Sequence, residues 1–177
     1  LNFDAGGEIA VLGADIGSMR LSGNVSSRFS LWGVPVGIEA DARFHFLRVP
    51  YLWSHHHGSY VWWDTKFGFT KQFVVGGTLS APQWGTEFSL HSATLANTLY
   101  FDSTRTAQQH ATPIEILEGR LKHQYHWGIL GWQAEVAYQL SSNQTVVPLP
   151  TLSAYGSLYL DFYTARVMRK QLGIDCH

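Results

Sequence analysis

The sequence is short of charge. Charged residues make up 14% of its 177 positions, against roughly a quarter in ordinary soluble domains, and they nearly cancel to a net charge of −1. That balance excludes a basic surface for nucleic acid and equally an acidic, self-repelling tail. A single cysteine, Cys176, excludes an internal disulfide, and its expected place is half-buried in a strand. No apolar run approaches the ~20 residues that a spanning helix needs, so any route across a membrane has to use strands. No Met-initiated basic and apolar leader opens the chain, and Leu1-Asn2-Phe3 reads as a mature or trimmed end. Also missing are a Gly-x-Ser-x-Gly elbow, a phosphate-binding Gly-rich loop and a Cys-pair zinc motif. Nothing asks for a cofactor.

What is present is alternation with a period of two. Along Gly131–Ser141, Trp132, Ala134, Val136, Tyr138 and Leu140 interleave with Gln133, Glu135 and Gln139, which gives one greasy pleated face and one polar face. The pattern recurs at Ser18–Leu31, where Arg20, Ser22, Asn24, Ser26, Arg28 and Ser30 oppose Leu21, Val25, Phe29 and Leu31. After the Trp32–Pro35 reversal, Glu39, Asp41, Arg43 and His45 oppose Ile38, Ala40, Ala42 and Phe44. Ile114–Gly128 places Glu118, Arg120, Lys122, Gln124 and His126 opposite Leu117, Leu121, Tyr125 and Trp127. Weaker strands are read at Gly7–Ile16, Tyr60–Thr70, Gln72–Ala81, Thr86–Phe101, Thr151–Tyr163 and Arg166–Cys176, for about ten in all. Several exceed the five or six residues usual in globular sheets.

A soluble sheet turns the apolar row to a core, whereas a membrane barrel turns it to lipid and keeps polar groups inside. Ionised side chains in a dry core cost several kcal/mol each, to order of magnitude, unless paired. Their number here favours a wet interior, with Arg20, Arg28, Glu39, Asp41, Arg43, Glu118, Arg120, Lys122 and Glu135 facing a lumen. If Arg20 and Arg28 adjoin Glu39, Asp41 and Arg43, each of these three has neighbours of both signs. Trp and Tyr favour the edge of a lipid slab, where the ring is in oil and its N–H or O–H in water. Trp32, Tyr51, Trp53, Trp62, Trp63, Trp84, Trp127 and Trp132 are the expected interface aromatics.

Val49–Ser59 reads as a loop. Its His55-His56-His57 run has alternating directions and no acidic residue close by, so no metal site is expected. Asp102–Pro113 reads as an external loop. Two Ser/His pairings, His91 with Ser89 or Ser92 and His110 with Ser103, are all that a lipid-modifying barrel enzyme could draw on, and the expectation is no enzyme. A soluble carbohydrate-binding β-sandwich with the Trp-rich segments as stacking platforms is the other reading.

The closing stretch adds a resemblance. Trp132 with Glu135-Val136-Ala137-Tyr138-Gln139, Ser141-Ser142-Asn143-Gln144 before Pro148-Leu149-Pro150, the Tyr-rich strand after it and Gln171-Leu172-Gly173-Ile174-Asp175 resemble the putative porin family of the Bacteroidota outer membrane. Ser89–Asn97 with Tyr100-Phe101 does as well, so the likeness covers about Trp84–His177. It implies a bacterial outer-membrane location, passive diffusion of small polar solutes or ions, and contact with outer-membrane lipid or further outer-membrane subunits. Family members are longer and continue past the Gly-x-Asp strand. The combined expectation is all-β: one domain over 1–177, an antiparallel up-and-down transmembrane β-barrel of about ten strands, alone or as part of a larger barrel.

Overall fold

The computed structural model describes residues 1–164 and 168–176. Arg166 and Val167, where the last expected strand begins, lie outside the described residues, as does His177. In chain order the strands are β1 Asn2–Ile9, β2 Met19–Leu31, β3 Val34–Leu47, β4 His55–His57, β5 Trp62–Asp64, β6 Thr70–Ala81, β7 Thr86–Ala96, β8 Thr98–Phe101, β9 Ala107–His110, β10 Ile114–Trp127, β11 Leu130–Ser141, β12 Leu152–Thr164 and β13 Met168–Cys176. Nine of them form one antiparallel up-and-down sheet in the order β1-β2-β3-β6-β7-β10-β11-β12-β13. The short pairs β4-β5 and β8-β9 are separate ribbons. A helical turn, Tyr51–Ser54, is set in the loop before β4.

The sheet therefore has nine strands rather than ten. Tyr60–Thr70 does not join it, because consecutive Trp62 and Trp63 put bulk on both pleat faces, and Trp62–Asp64 pairs with the three histidines instead. The edge of β3 is taken by β6, whose Phe73, Val75 and Leu79 match the apolar row opposite and whose Gln72, Thr78 and Ser80 match the polar one. The first strand is Asn2–Ile9 and not Gly7–Ile16: Gly13 (φ 87°) and Gly17 (φ 86°) take left-handed conformations that end it. Thr86–Phe101 breaks at Asn97 (φ 57°), so Leu99 belongs to a ribbon. Cys176 lies in β13 but is exposed. Among the described residues the sheet is also open: β1 pairs with β2 alone and β13 with β12 alone, so closure into a barrel is not seen there.

The two ends of the sheet differ. One carries short turns at residues 32–33, 82–85 and 128–129, and the other carries the long connections 10–18, 48–69, 97–113 and 142–151. At Trp32-Gly33 both residues have positive φ (51° and 80°), the mirror-image turn whose twist suits a two-residue hairpin.

Register also drifts steadily. Directly opposed residues run Ser26, Glu39, Thr78, Ser89, Arg120, Ala137, Ser153 from β2 to β12. Ser26 lies five residues from the short-turn end of β2 at Leu31, and Ser153 lies eleven from that end of β12 at Thr164. Over six strand steps the slip is one residue per strand. With a rise of about 3.4 Å and a strand spacing of about 4.8 Å, this corresponds to a tilt of about 35° if the turns share a plane. Barrel strands tilt by about that much.

The faces are inverted relative to a soluble sheet. Among the described residues the buried apolar side chains are only Val36, Val49, Ala81, Ala107, Ile114 and Ala137, far short of the core that a soluble chain of this size encloses. In mid-strand the apolar row is the exposed one: Leu121 is 46%, Leu90 48% and Val136 42% accessible. Several carboxylates of the charged row are sheltered, with Asp41 at 18% and Asp161 at 9%, while their partners Arg43 and Arg169 reach outward at 51% and 65%.

Candidate functional site

The sheltered face gathers ionisable groups from eight of the nine strands; β6 contributes Gln72, Val74, Gly76, Thr78 and Ser80 to it. Every lumen-facing candidate falls on it: Arg20 and Arg28 on β2, Glu39, Asp41 and Arg43 on β3, Glu118, Arg120 and Lys122 on β10, and Glu135 on β11. The residues opposite Glu39, Asp41 and Arg43 on β2 are Ser26, Asn24 and Ser22, with Arg20 and Arg28 flanking them. Glu39 instead accepts a hydrogen bond from the Asn24 amide, and Arg43 donates to Asp41 two residues back at 2.9 and 3.1 Å. Arg120 bridges Glu118 and Glu135, at 3.1 Å to each, while Lys122 faces Glu87 at 3.7 Å.

Further members of this face were passed over in the sequence. Asp4 and Glu8 lie on β1, where Glu8 pairs with Arg20 at 3.1 Å. Asp161 and Arg169 face one another from β12 and β13 through a two-pronged contact. Tyr155 donates to Asp175 at 3.3 Å. The signal was the same alternation, since Asp161 shares a row with Tyr155, Ser157 and Tyr159. His91 reaches Asp41 at 3.4 Å across Gly76, the residue between them in register. A Cβ at Gly76 would lie 2.0 Å from the His91 ring, so only glycine leaves room for this contact. Among the described residues neither Ser89 nor Ser92 hydrogen-bonds His91, and His110 contacts Asn143 at 3.3 Å.

The middle of the opposite face is free of Asp, Glu, Lys and Arg on every strand of the sheet. Lys71 and Glu115 stand on it at the loop end and Lys170 near the turn end, and Lys71 lies over the Phe46 ring at 5.8 Å. The eight candidate interface aromatics divide in two. Trp32, Trp84, Trp127 and Trp132 are at the short-turn end, three of them in or beside turns, and the His123 ring between Thr86 (2.8 Å) and Trp132 (5.1 Å) joins that polar-aromatic border. Tyr51, Trp53, Trp62 and Trp63 are not at strand ends but in the 48–69 loop. There Trp63 donates its ring N–H to the Trp53 carbonyl at 2.7 Å, and both rings pack on Phe101. Trp53 and Trp63 thereby tie the 48–69 loop to β8, and Trp62 and Trp63 sit on the short β4-β5 ribbon rather than on a strand of the large sheet.

In the same loop His55 approaches Asp64 at 2.6 Å, His56 stacks on Trp63 and His57 meets Trp62 edge-on. Pairing thus brings in the acid that the local sequence lacked, yet it sends each histidine to a different neighbour. Among the described residues no group of three or more His, Cys, Asp or Glu is placed to share a metal ion.

The 97–113 loop is pinned by Asp102. Its carboxylate accepts from the Thr104 hydroxyl (2.6 Å), the Thr106 N–H (3.0 Å) and the Gln108 amide (3.2 Å). The Thr104 hydroxyl foremost, then the Thr106 N–H, holds this carboxyl below the usual range, against a smaller opposing push from desolvation. A depressed folded pKa stabilises the turn above the unfolded value, and this support is lost as pH falls through the folded one. In detergent, the amide shifts of Thr104 and Thr106 should move together, with a midpoint below about pH 3.9, the ordinary Asp value. Movement centred above that value would contradict the geometry.

No curated protein and no solved structure matches the chain. A family model does, and it covers residues 1–177, which is every residue of the sequence. Its description is "Putative porin", and it accords with a single antiparallel sheet that is charged within and greasy without: the chain belongs to this putative porin family, whose membership implies an outer-membrane β-barrel protein.

Proposed function

We propose that the chain forms a stretch of the wall of an outer-membrane β-barrel through which small polar solutes or ions diffuse passively. One observation carries this reading: in mid-strand every ionised group is on the sheltered face, and the exposed face has none there on any of the nine strands. In lipid the exposed face needs no cover, whereas in water it would be a continuous apolar patch far above what monomeric soluble proteins tolerate. Strands of up to 14 residues exceed the 9–11 that a tilted crossing needs. The soluble β-sandwich is disfavoured because no second sheet lies over either face of the first among the described residues.

The lipid slab is bordered by Trp32, Trp84, Trp127 and Trp132 on one side, and by Lys71 and Glu115 on the other. Outer-membrane barrels keep short turns in the periplasm and long loops outside, which sets the 48–69 and 97–113 ribbons at the cell surface. The free edges of β1 and β13 take further strands or outer-membrane subunits, since unpaired N–H and C=O groups are costly in lipid. Diffusion asks for no catalytic group.

The protein, purified in detergent and placed in a planar bilayer, should conduct, and it should migrate differently in SDS before and after heating. Replacing Arg20, Arg28 and Arg43 together by Gln removes three positive charges from the passage. The reversal potential in a salt gradient should then move toward that of the cation. Unchanged conductance and selectivity would make this face structural only.

A further inference from the structure

We infer that this passage favours cations over anions, and that Asp4 and Glu39 set the preference; the inference rests on the diffusion reading above. The whole-chain charge of −1 conceals a separation of charge between the sheltered face and the rest. The sheltered face holds nine carboxylates on the described strands: six in the ion pairs above, together with Asp4, Glu39 and Asp175. Against them stand six cations, five of them in those pairs together with Arg28. Among the described residues the face therefore carries a net −3, and five cations lie outside it. Two of those outer cations, Lys71 and Lys170, stand on the lipid-facing side near its borders.

Pairing decides which charges a passing ion feels. A carboxylate 3.1 Å from a guanidinium presents a dipole whose field fades quickly, whereas a carboxylate without a cation presents a full charge. Among the described residues neither Asp4 nor Glu39 has an ion-pair partner, and the Asn24 amide that bonds Glu39 is neutral. The two flank Asn24 from either side: Asp4 is opposite it on β1, and Asp41 opposite on β3 with Glu39 two residues away. Together with Ser22, Gly23 and Arg43 they line a cavity of about 310 Å³, ample for a hydrated monovalent cation. Its three carboxylates face one guanidinium, which Asp41 already holds. Asp175 is less free, because the Tyr155 hydroxyl bonds it. Rings of acidic side chains in a water-filled pore are a general source of cation preference.

The test is the reversal potential of the purified protein in a planar bilayer with a potassium chloride gradient. The wild-type protein should pass potassium more readily than chloride. Asp4→Asn with Glu39→Gln should lower the permeability ratio about six-fold per charge removed, because one charge about 8 Å away in water changes potassium and, in the opposite sense, chloride by about two- to three-fold each. Arg28→Gln should raise the ratio. Retained conductance shows that each variant is assembled. No conductance from the wild type overturns the passage and the selectivity together. Conductance that prefers chloride, or a ratio unmoved by the Asp4 and Glu39 changes, overturns the selectivity while leaving the passage standing.

Discussion

Leu121→Arg should leave the protein largely unable to assemble in a membrane. Leu121 is near the middle of β10, with Phe88 and Val136 directly opposite on β7 and β11, and about half of its surface is open. If the opening is to hydrocarbon, a cation at that depth costs about 2–4 kcal/mol, a large part of the total stability of a typical domain. If it is to water, the same change would be neutral and would improve solubility. The measurement is the fraction of protein that shows heat-modifiable migration after refolding into lipid vesicles. Wild-type yield from Leu121→Arg would refute the membrane reading more directly than any conductance assay. Gln124→Arg, three residues on but on the charged face, is the control and should assemble normally.

The second large effect is at Gly85, in the turn from β6 to β7. Gly85 has φ 59°, and a Cβ there would lie 1.7 Å from the Gln124 carbonyl oxygen, a backbone atom that cannot swing away. The same approach supports a hydrogen bond from the Gln124 N–H to the Gly85 carbonyl at 2.7 Å. Gly85→Ala adds left-handed strain of about 1–2 kcal/mol and sacrifices that bond, worth about 1 kcal/mol. It also pushes the start of β7 off β10, so a loss of about 3 kcal/mol or more is expected. Gly128→Ala isolates the strain, because Gly128 has a similar φ of 60° and open space where the Cβ would go; only the strain of about 1–2 kcal/mol is expected there. Urea midpoints of the vesicle-folded proteins should separate the two variants clearly. Equal midpoints would mean that the Gly85–Gln124 approach is not maintained.

The faces of the long strands were legible because a two-residue period sorts side chains without knowledge of partners. Arg20 through Arg28, Glu39 through Arg43 and Glu118 through Lys122 all fell where the alternation put them. Pairing was not legible. The contact of His91 with Asp41 depends on Gly76 from a third strand, and the carboxylates of Glu118 and Glu135 share Arg120 only because of one register. Segments with bulk on both faces misled for the same reason. Trp62 and Trp63 look like strand or girdle residues in isolation, and only Trp53, His56 and Phe101 from elsewhere in the loops reveal a small aromatic core. Asp4 and Asp161 were overlooked because each is a lone acid among small or aromatic residues, with no adjacent charge in the sequence to draw attention to it.

An odd count of strands has a consequence of direction. Both β1 and β13 climb from the turn rim toward the loop rim, so bringing them together would create one parallel seam, with slanted and slightly weaker hydrogen bonds, in an otherwise antiparallel cylinder. A second copy of the sheet, oriented alike in the same bilayer, offers edges that also climb and would meet the first through the same kind of seam. A cylinder laced only by antiparallel ladders must place an odd number of strands between β13 and β1, and the first of them must descend from the loop rim.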